Sequence, residues 1–187
     1  IFVSARSGIT RPGELAGRRI GSPEYQMTAP VWIRGILADD YGVPVTSPQY
    51  LTGGEEEPGR TEKLALDLPP TIRVARIGAG QTLARMLADG EIDALYTARA
   101  PSTFRSRPED VRRLFPDYAT VERDYFRRTR IFPIMHTVVV RRDVYERNRW
   151  CARELYKAFA VAQRKTYRDL EETAANKAML PWLTAHV

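Results

Sequence analysis

Residues Ile72 to Thr97 read IRVARIGAGQTLARMLADGEIDALYT, and this stretch decides the fold class. Ile72 to Ile77 sets Ile72 and Val74 against Arg73 and Ala75 and closes on Arg76 and Ile77, the pattern of a half-buried strand. Gln81 to Asp89 places Leu83, Met86 and Leu87 on one helical face and is closed by Gly90. Ile92 to Thr97 is a second apolar strand. Strand, helix, strand in this order predicts a parallel sheet with helices on its faces, an α/β fold.

The same order extends on both sides. Ile1 to Ala5 reads as a short strand, Arg11 to Gly17 as a loop with a Pro12-Gly13 turn, and Arg18 to Ser22 as a strand. Thr28 is expected to cap a helix that accepts Pro30 in its first turn, where amides have no intrahelical partner. Val31, Ile33, Ile36, Leu37 and Tyr41 form its apolar stripe, and Gly42 ends it in a left-handed cap. Gln49 to Thr52 is the next strand. Downstream, helices are expected at Pro108 to Phe115 and Val121 to Arg128, and a valine-rich strand at His136 to Arg141. A long helix capped by Asn148 should run to about Leu170, with a last helix from about Glu171 to Leu180.

Composition narrows the class. The chain has 187 residues, 43% of them apolar, enough for one domain or a domain and part of another. No run of eighteen apolar residues is present, so no membrane span is encoded. The chain opens on Ile1 within a strand and closes shortly after Leu180 to Trp182, which suggests a piece of a longer protein. The formal charge is +6, mostly from arginine. No helix-turn-helix, zinc finger or aromatic-basic stacking pattern accompanies it, so a solvated arginine surface is expected rather than nucleic acid. Some arginines remain for an anionic small molecule, because the guanidinium fork matches a carboxylate. Cys151, the one cysteine, stands at helical spacing with Leu155, Phe159 and Ala162 and reads as a buried structural thiol. No HxH or HExxH spacing marks a metal site, and no serine sits on a nucleophile elbow.

Four segments carry chemistry. PEYQMTAPVWIRGIL, Pro23 to Leu37, sets Glu24, Tyr25 and Thr28 at a strand end and helix start, where open parallel sheets bind ligands. Glu24 reads either as a general acid, should apolar neighbours raise its pKa, or as a loop carboxylate capping the helix. Arg34, further along that helix, reads either as a surface arginine or as a ligand to an anion. GGEEEPGR, Gly53 to Arg60, fixes Arg60 between tight turns as an anion-binding candidate; its three glutamates repel one another and should not all be buried. TARAP, Thr97 to Pro101, puts Arg99 directly after a strand. His136, in IFPIMHTVVV, stands at the mouth of the valine-rich strand and reads as a catalyst or as a satisfied structural histidine.

Together PEYQMTA, GGEEEPGR, GEIDAL, RLFPD and FPIMH resemble the 4,5-dihydroxyphthalate decarboxylase family, over Gly8 to about Trp182. One departure is Asn148-Arg149-Trp150, where the family tends to have Asn-Pro-Trp. The resemblance implies a periplasmic-binding-protein-like type 2 fold of two α/β lobes. Residues 10 to 132 would form one nearly complete lobe. Residues 1 to 9 and 133 to 187 would be crossing strands and helices of an incomplete other lobe. Glu24, Tyr25, Thr28, Arg34, Arg60, Arg99 and His136 would then serve a cleft between them. The implied reaction removes one carboxylate from 4,5-dihydroxyphthalate, giving protocatechuate and carbon dioxide, and needs no cofactor. His136 would activate the phenol, Glu24 or Tyr25 would donate the proton, and Arg60 with Arg99 would hold the carboxylate. The partner expected is a small anionic aromatic substrate; a homo-oligomer is left open. The competing class is a non-catalytic solute-binding protein of a transporter. An enzyme would be cytoplasmic, a transporter component periplasmic.

Overall fold

The structure is a computed structural model and describes residues 1–172. It divides into two compact units, Ile1–Met135 and His136–Val187. The expected helix from about Glu171 to Leu180 lies almost wholly outside the described residues, as does His186.

The first unit is built on a six-stranded mixed sheet, β1 (Phe2–Ser4), β2 (Arg19–Ser22), β3 (Gln49–Thr52), β4 (Arg73–Arg76), β5 (Ala94–Leu95) and β6 (Val111–Arg113), in the order β4-β3-β2-β5-β1-β6. Strands β2 to β5 are mutually parallel, as the strand-helix-strand order predicts. Strand β1 is inserted antiparallel between β5 and β6, which makes the sheet mixed. Residues 1–9, which the resemblance puts with the other lobe, thus supply a strand of this sheet.

Strand periodicity of two sends neighbouring side chains to opposite faces. Val3, Ile20, Tyr50, Ala94 and Tyr96 join one core together with Leu37 of helix α1 (Thr28–Tyr41). Phe2, Leu95 and Val111 join the other, with Leu83, Met86 and Leu87 of helix α2 (Leu83–Asp89). The result is a sheet between helical layers. Gly42 and Gly90 close α1 and α2 in left-handed caps, as expected from their positions.

Three local readings are corrected. Thr28 is the first helical residue of α1; Met27 caps it, without a side-chain bond. The stripe of α1 is rotated: Val31 and Tyr41 are exposed, and Ala29, Pro30, Arg34 and Leu37 are buried. The expected helix at Pro108 to Phe115 is instead strand β6, because Val111 buries its side chain in the second core and β1 offers an open ladder. Helix α3 (Thr103–Ser106) precedes β6, and helix α4 (Tyr118–Thr129) follows it. The side chain of Asp117 accepts a bond from Thr120 N at the start of α4, three residues before the expected Val121. The pair Arg128–Asp40, at 2.8 Å, ties α4 to α1.

In the second unit, the expected strand at His136 to Arg141 does not form: the segment has no regular secondary structure, and Val138 and Val139 are exposed. Helices α5 (Arg142–Arg147) and α6 (Trp150–Glu171) follow. Asn148 does not cap α6 with its side chain; its Nδ2 donates to Val144 O and thereby closes α5, while Arg149 holds the cap position. Cys151 is half-buried, and its helical neighbours Leu155 and Phe159 are exposed, so the thiol is not a core group. Among the described residues no helix is long and apolar enough to cross a membrane.

Candidate functional site

The parallel strands β2 to β5 end on one rim of the sheet. Chain order reverses there: β3 and β4 lie on one side of β2, and β5 lies on the other. Ligands of open α/β sheets bind at this point, beyond the carboxyl ends of the strands. The segments after β2, β3 and β5 carry Glu24, the Gly53 to Arg60 loop and Thr97 to Arg99.

Glu24 follows β2 by one proline and is buried. Ser22 Oγ donates to its carbonyl at 2.8 Å, which fixes the turn. Its side chain meets Arg60: Nε donates to Oε1 at 2.9 Å and Nη2 at 2.5 Å. The other oxygen accepts Lys63 N at 3.4 Å. A buried carboxylate needs such a partner, since an unpaired buried charge is costly. Two sequence candidates therefore come together, but bound to each other.

Tyr25 is also buried, and its backbone N–H donates to Glu62 Oε1 at 2.6 Å. Its ring meets Tyr50 edge-on, with centroids 5.1 Å apart. Arg34 is not a surface residue. Its guanidinium lies 3.8 Å from the Tyr25 ring centroid, and Nη2 donates to Tyr25 O at 2.7 Å. Burial pulls the Arg34 pKa down, while the neighbouring tyrosines and Glu62 oppose this. Arg34 Nη1 and Glu62 Oε2 are both buried without a hydrogen-bond partner. Thr28 is exposed at the start of α1.

The glycine loop is shaped by contact. A Cβ on Gly54 would lie 1.6 Å from the carbonyl oxygen of Glu57, a clash with backbone that no rotamer relieves. The carbonyls of Gly54 and Glu55 accept the amides of Leu83 and Ala84 at 2.9 and 3.0 Å. The first turn of α2 thus holds the loop, supplying partners for helix-start amides that lack intrahelical ones.

The three glutamates of this loop separate, as their mutual repulsion requires. Glu57 is exposed. Glu56, also exposed, accepts Ser102 N at 2.7 Å and Ser102 Oγ at 2.6 Å. Glu55 is half-buried and accepts Thr97 Oγ1 at 2.5 Å. Burial raises the Glu55 pKa; the Thr97 bond lowers it, the Glu56 charge raises it, and Arg60 and Arg99 lower it, leaving it above the ordinary range. Sequence reasoning passed over Glu55. The signal was its place next to Gly53-Gly54, directly after a parallel strand.

Arg99 is exposed. Its backbone N–H donates to Thr97 Oγ1, and its guanidinium has no ion-pair partner among the described residues. A hollow of about 590 Å3 adjoins the rim under residues 61–68, with Thr52, Lys63, Val74 and Arg76 in its wall. His136 belongs to the second unit and is exposed. Among the described residues no group of three or more His, Cys, Asp or Glu is arranged to hold a metal ion.

The rim thus presents a guanidinium without an ion-pair partner among the described residues, a half-buried carboxyl, and a buried carboxylate paired to a partly exposed guanidinium, at the edge where open α/β sheets bind ligands. No family model matches the chain. A 4,5-dihydroxyphthalate decarboxylase of Comamonas testosteroni is 40% identical over 183 residues, covering 98% of this chain and 56% of that protein. A protein of the same name from Pseudomonas putida is 40% identical over 127 residues, covering 68% of this chain and 49% of that protein. The chain spans about half the length of these curated relatives. On this similarity the chain belongs to the 4,5-dihydroxyphthalate decarboxylase family.

Proposed function

We propose that the protein is a carboxy-lyase of phthalate catabolism. It removes one carboxylate from 4,5-dihydroxyphthalate, or a related hydroxylated aromatic carboxylate, giving protocatechuate and carbon dioxide. The observation that carries the reading is the match over nearly the whole chain, which includes the segments forming the rim.

The chemistry sets three requirements. Each carboxylate of the substrate has a phenolic hydroxyl para to it, so removing that phenolic proton drives electron density onto the carbon that must lose carbon dioxide. An acid then protonates this carbon, and a cation holds the carboxylate that stays. Arg99, with no ion pair among the described residues, is assigned to the remaining carboxylate. Arg60 assists through the loop it anchors to Glu24. Thr28 and Arg34 support the binding wall, Arg34 by holding Tyr25. His136 is assigned to the phenolic proton. The proton for carbon comes from an acidic group of the rim, among Glu24, Tyr25 and Glu55.

The same reading takes the fold to be a periplasmic-binding-protein-like type 2 fold, with residues 10–132 as one lobe. Two features support it. Strand β1 enters an otherwise parallel run antiparallel, as a strand arriving from another lobe would. The valines at 138–140 carry strand propensity yet lie in no strand among the described residues. The enzyme reading carries a cytoplasmic location.

The test is incubation of the full-length protein with 4,5-dihydroxyphthalate, following carbon dioxide and protocatechuate. Turnover is expected, and Arg99→Ala should raise KM about tenfold or more, the loss of a charge-assisted hydrogen bond. Binding of the dihydroxy acid without any product would replace the enzyme by a solute-binding protein.

A further inference from the structure

Glu24, Tyr25 and Glu55 are the rim groups named for the carbon proton, and their hydrogen bonds distinguish them; Glu62 also has one oxygen held, by Tyr25 N–H, but its other oxygen is buried. Both carboxyl oxygens of Glu24 accept N–H bonds, two on Oε1 from Arg60 and one on Oε2 from Lys63. Neither is placed to give a proton away. Tyr25 is buried, with Arg34 stacked on its ring. Glu55 differs from both. Its main chain is fixed by α2 through the Ala84 amide, and Oε2 is oriented by the Thr97 hydroxyl. Its Oε1 has no hydrogen-bond partner among the described residues. A carboxyl with one oxygen held and the other open is the arrangement a proton donor needs.

Its neighbours fit the same role. Thr97 and Arg99 follow β5 and Arg60 closes the loop, so Glu55 sits between the end of β3 and the end of β5, at the reversal of strand order. The charged groups acting on it are Glu56 from its own loop, Arg60 from the loop's far end and Arg99 from the β5 side. Half-burial outweighs them and favours the protonated form, as catalytic acids require.

We infer that Glu55 is the acid of the proposed reaction, delivering its proton to the ring carbon that bears the departing carboxylate while Arg99 holds the carboxylate that stays. The inference rests on the decarboxylase reading. In the step, the Glu55 O–H bond breaks and a C–H bond forms at that carbon. The C–C bond to the carboxylate then breaks, its electron pair returns to the ring, and carbon dioxide leaves. Glu55, now a carboxylate, takes its next proton from water. No electron acceptor or donor is consumed.

The experiment compares wild-type full-length protein with Glu55→Gln, Glu55→Asp and Glu57→Gln on 4,5-dihydroxyphthalate across pH. Glu55→Gln should lower kcat about 100-fold or more with KM little changed. Glu55→Asp should keep part of the rate, and Glu57→Gln should keep it all. In the wild type, kcat should fall as pH rises through the Glu55 pKa, and the residual rate of Glu55→Gln should lack that limb. A Glu55→Gln protein with wild-type kcat and an unchanged alkaline limb overturns the inference while leaving the decarboxylase reading intact. A wild type that binds without turnover defeats that reading first, and the inference with it. Should Glu55→Gln fail to fold, Thr97→Val decides: a roughly tenfold loss of kcat at unchanged phthalate affinity supports the role, and unchanged kcat overturns it.

Discussion

Glu24 and Arg60 show what a single pair of residues contributes at the rim. The Glu24 side chain is 8% exposed and that of Arg60 42%, so the pair is sheltered on one side only. Removing Arg60 leaves a buried carboxylate with one weak amide bond, whereas removing both partners leaves no stranded charge. Arg60→Ala is therefore expected to cost about 2 kcal/mol, and Glu24→Gln combined with Arg60→Ala less than the sum of the single changes. Urea unfolding of the four proteins measures this; strict additivity would mean that the two side chains do not interact in solution. Glu24, Arg60 and Arg99 were legible as site candidates because each stands next to glycine, proline or a strand end. Arg34 was not. Its type suggests solvent, and only the Tyr25 and Tyr50 rings, brought together by the sheet, explain why a guanidinium is buried. Glu55 was hidden by its identical neighbours, which the tertiary contacts to Thr97 and Ser102 separate.

Among the elements, β2 and β5 are joined by more than their short ladder. Asp93 accepts Arg19 N at 2.9 Å, Nε at 3.1 Å and Nη2 at 3.0 Å, and its own N–H donates to Arg19 O. Burial pushes the Asp93 carboxyl up, but the Arg19 bonds outweigh burial and hold it below the ordinary aspartate range. A depressed folded pKa gives stability that is present above the unfolded aspartate pKa and is lost as pH falls through the folded one. Asp93→Asn should thus cost about 2 kcal/mol at neutral pH, the scale of a bond to a charged group. The difference from wild type should shrink as pH falls below the ordinary aspartate range. Denaturation at pH 7 and pH 3 checks this; a difference that does not change with pH would contradict it. The elements with strong local periods, β2, α1, β3, β4 and α2, could be read from sequence. Strand β6 could not, because its partner β1 is about a hundred residues away and only Val111 among its three residues is buried. The valine run after His136 has strand propensity but no ladder among the described residues, which propensity alone cannot reveal.

For the whole molecule, the net charge of +6 is spread over a surface where many arginines already pair with carboxylates, from Arg6–Asp110 to Arg147–Asp143. Exposed pairs of this kind add little stability each. Arg99 follows β5 at the reversal of strand order, and its guanidinium has no ion pair among the described residues. The central claim is that this rim receives a carboxylate of an aromatic substrate. The most direct measurement is a crystal structure of the full-length protein with phthalate, which has both carboxylates but no phenol to activate. The account predicts one carboxylate within hydrogen-bond distance of the Arg99 guanidinium, with the ring beside Glu55. Phthalate bound elsewhere, with Arg99 still in solvent, would contradict it.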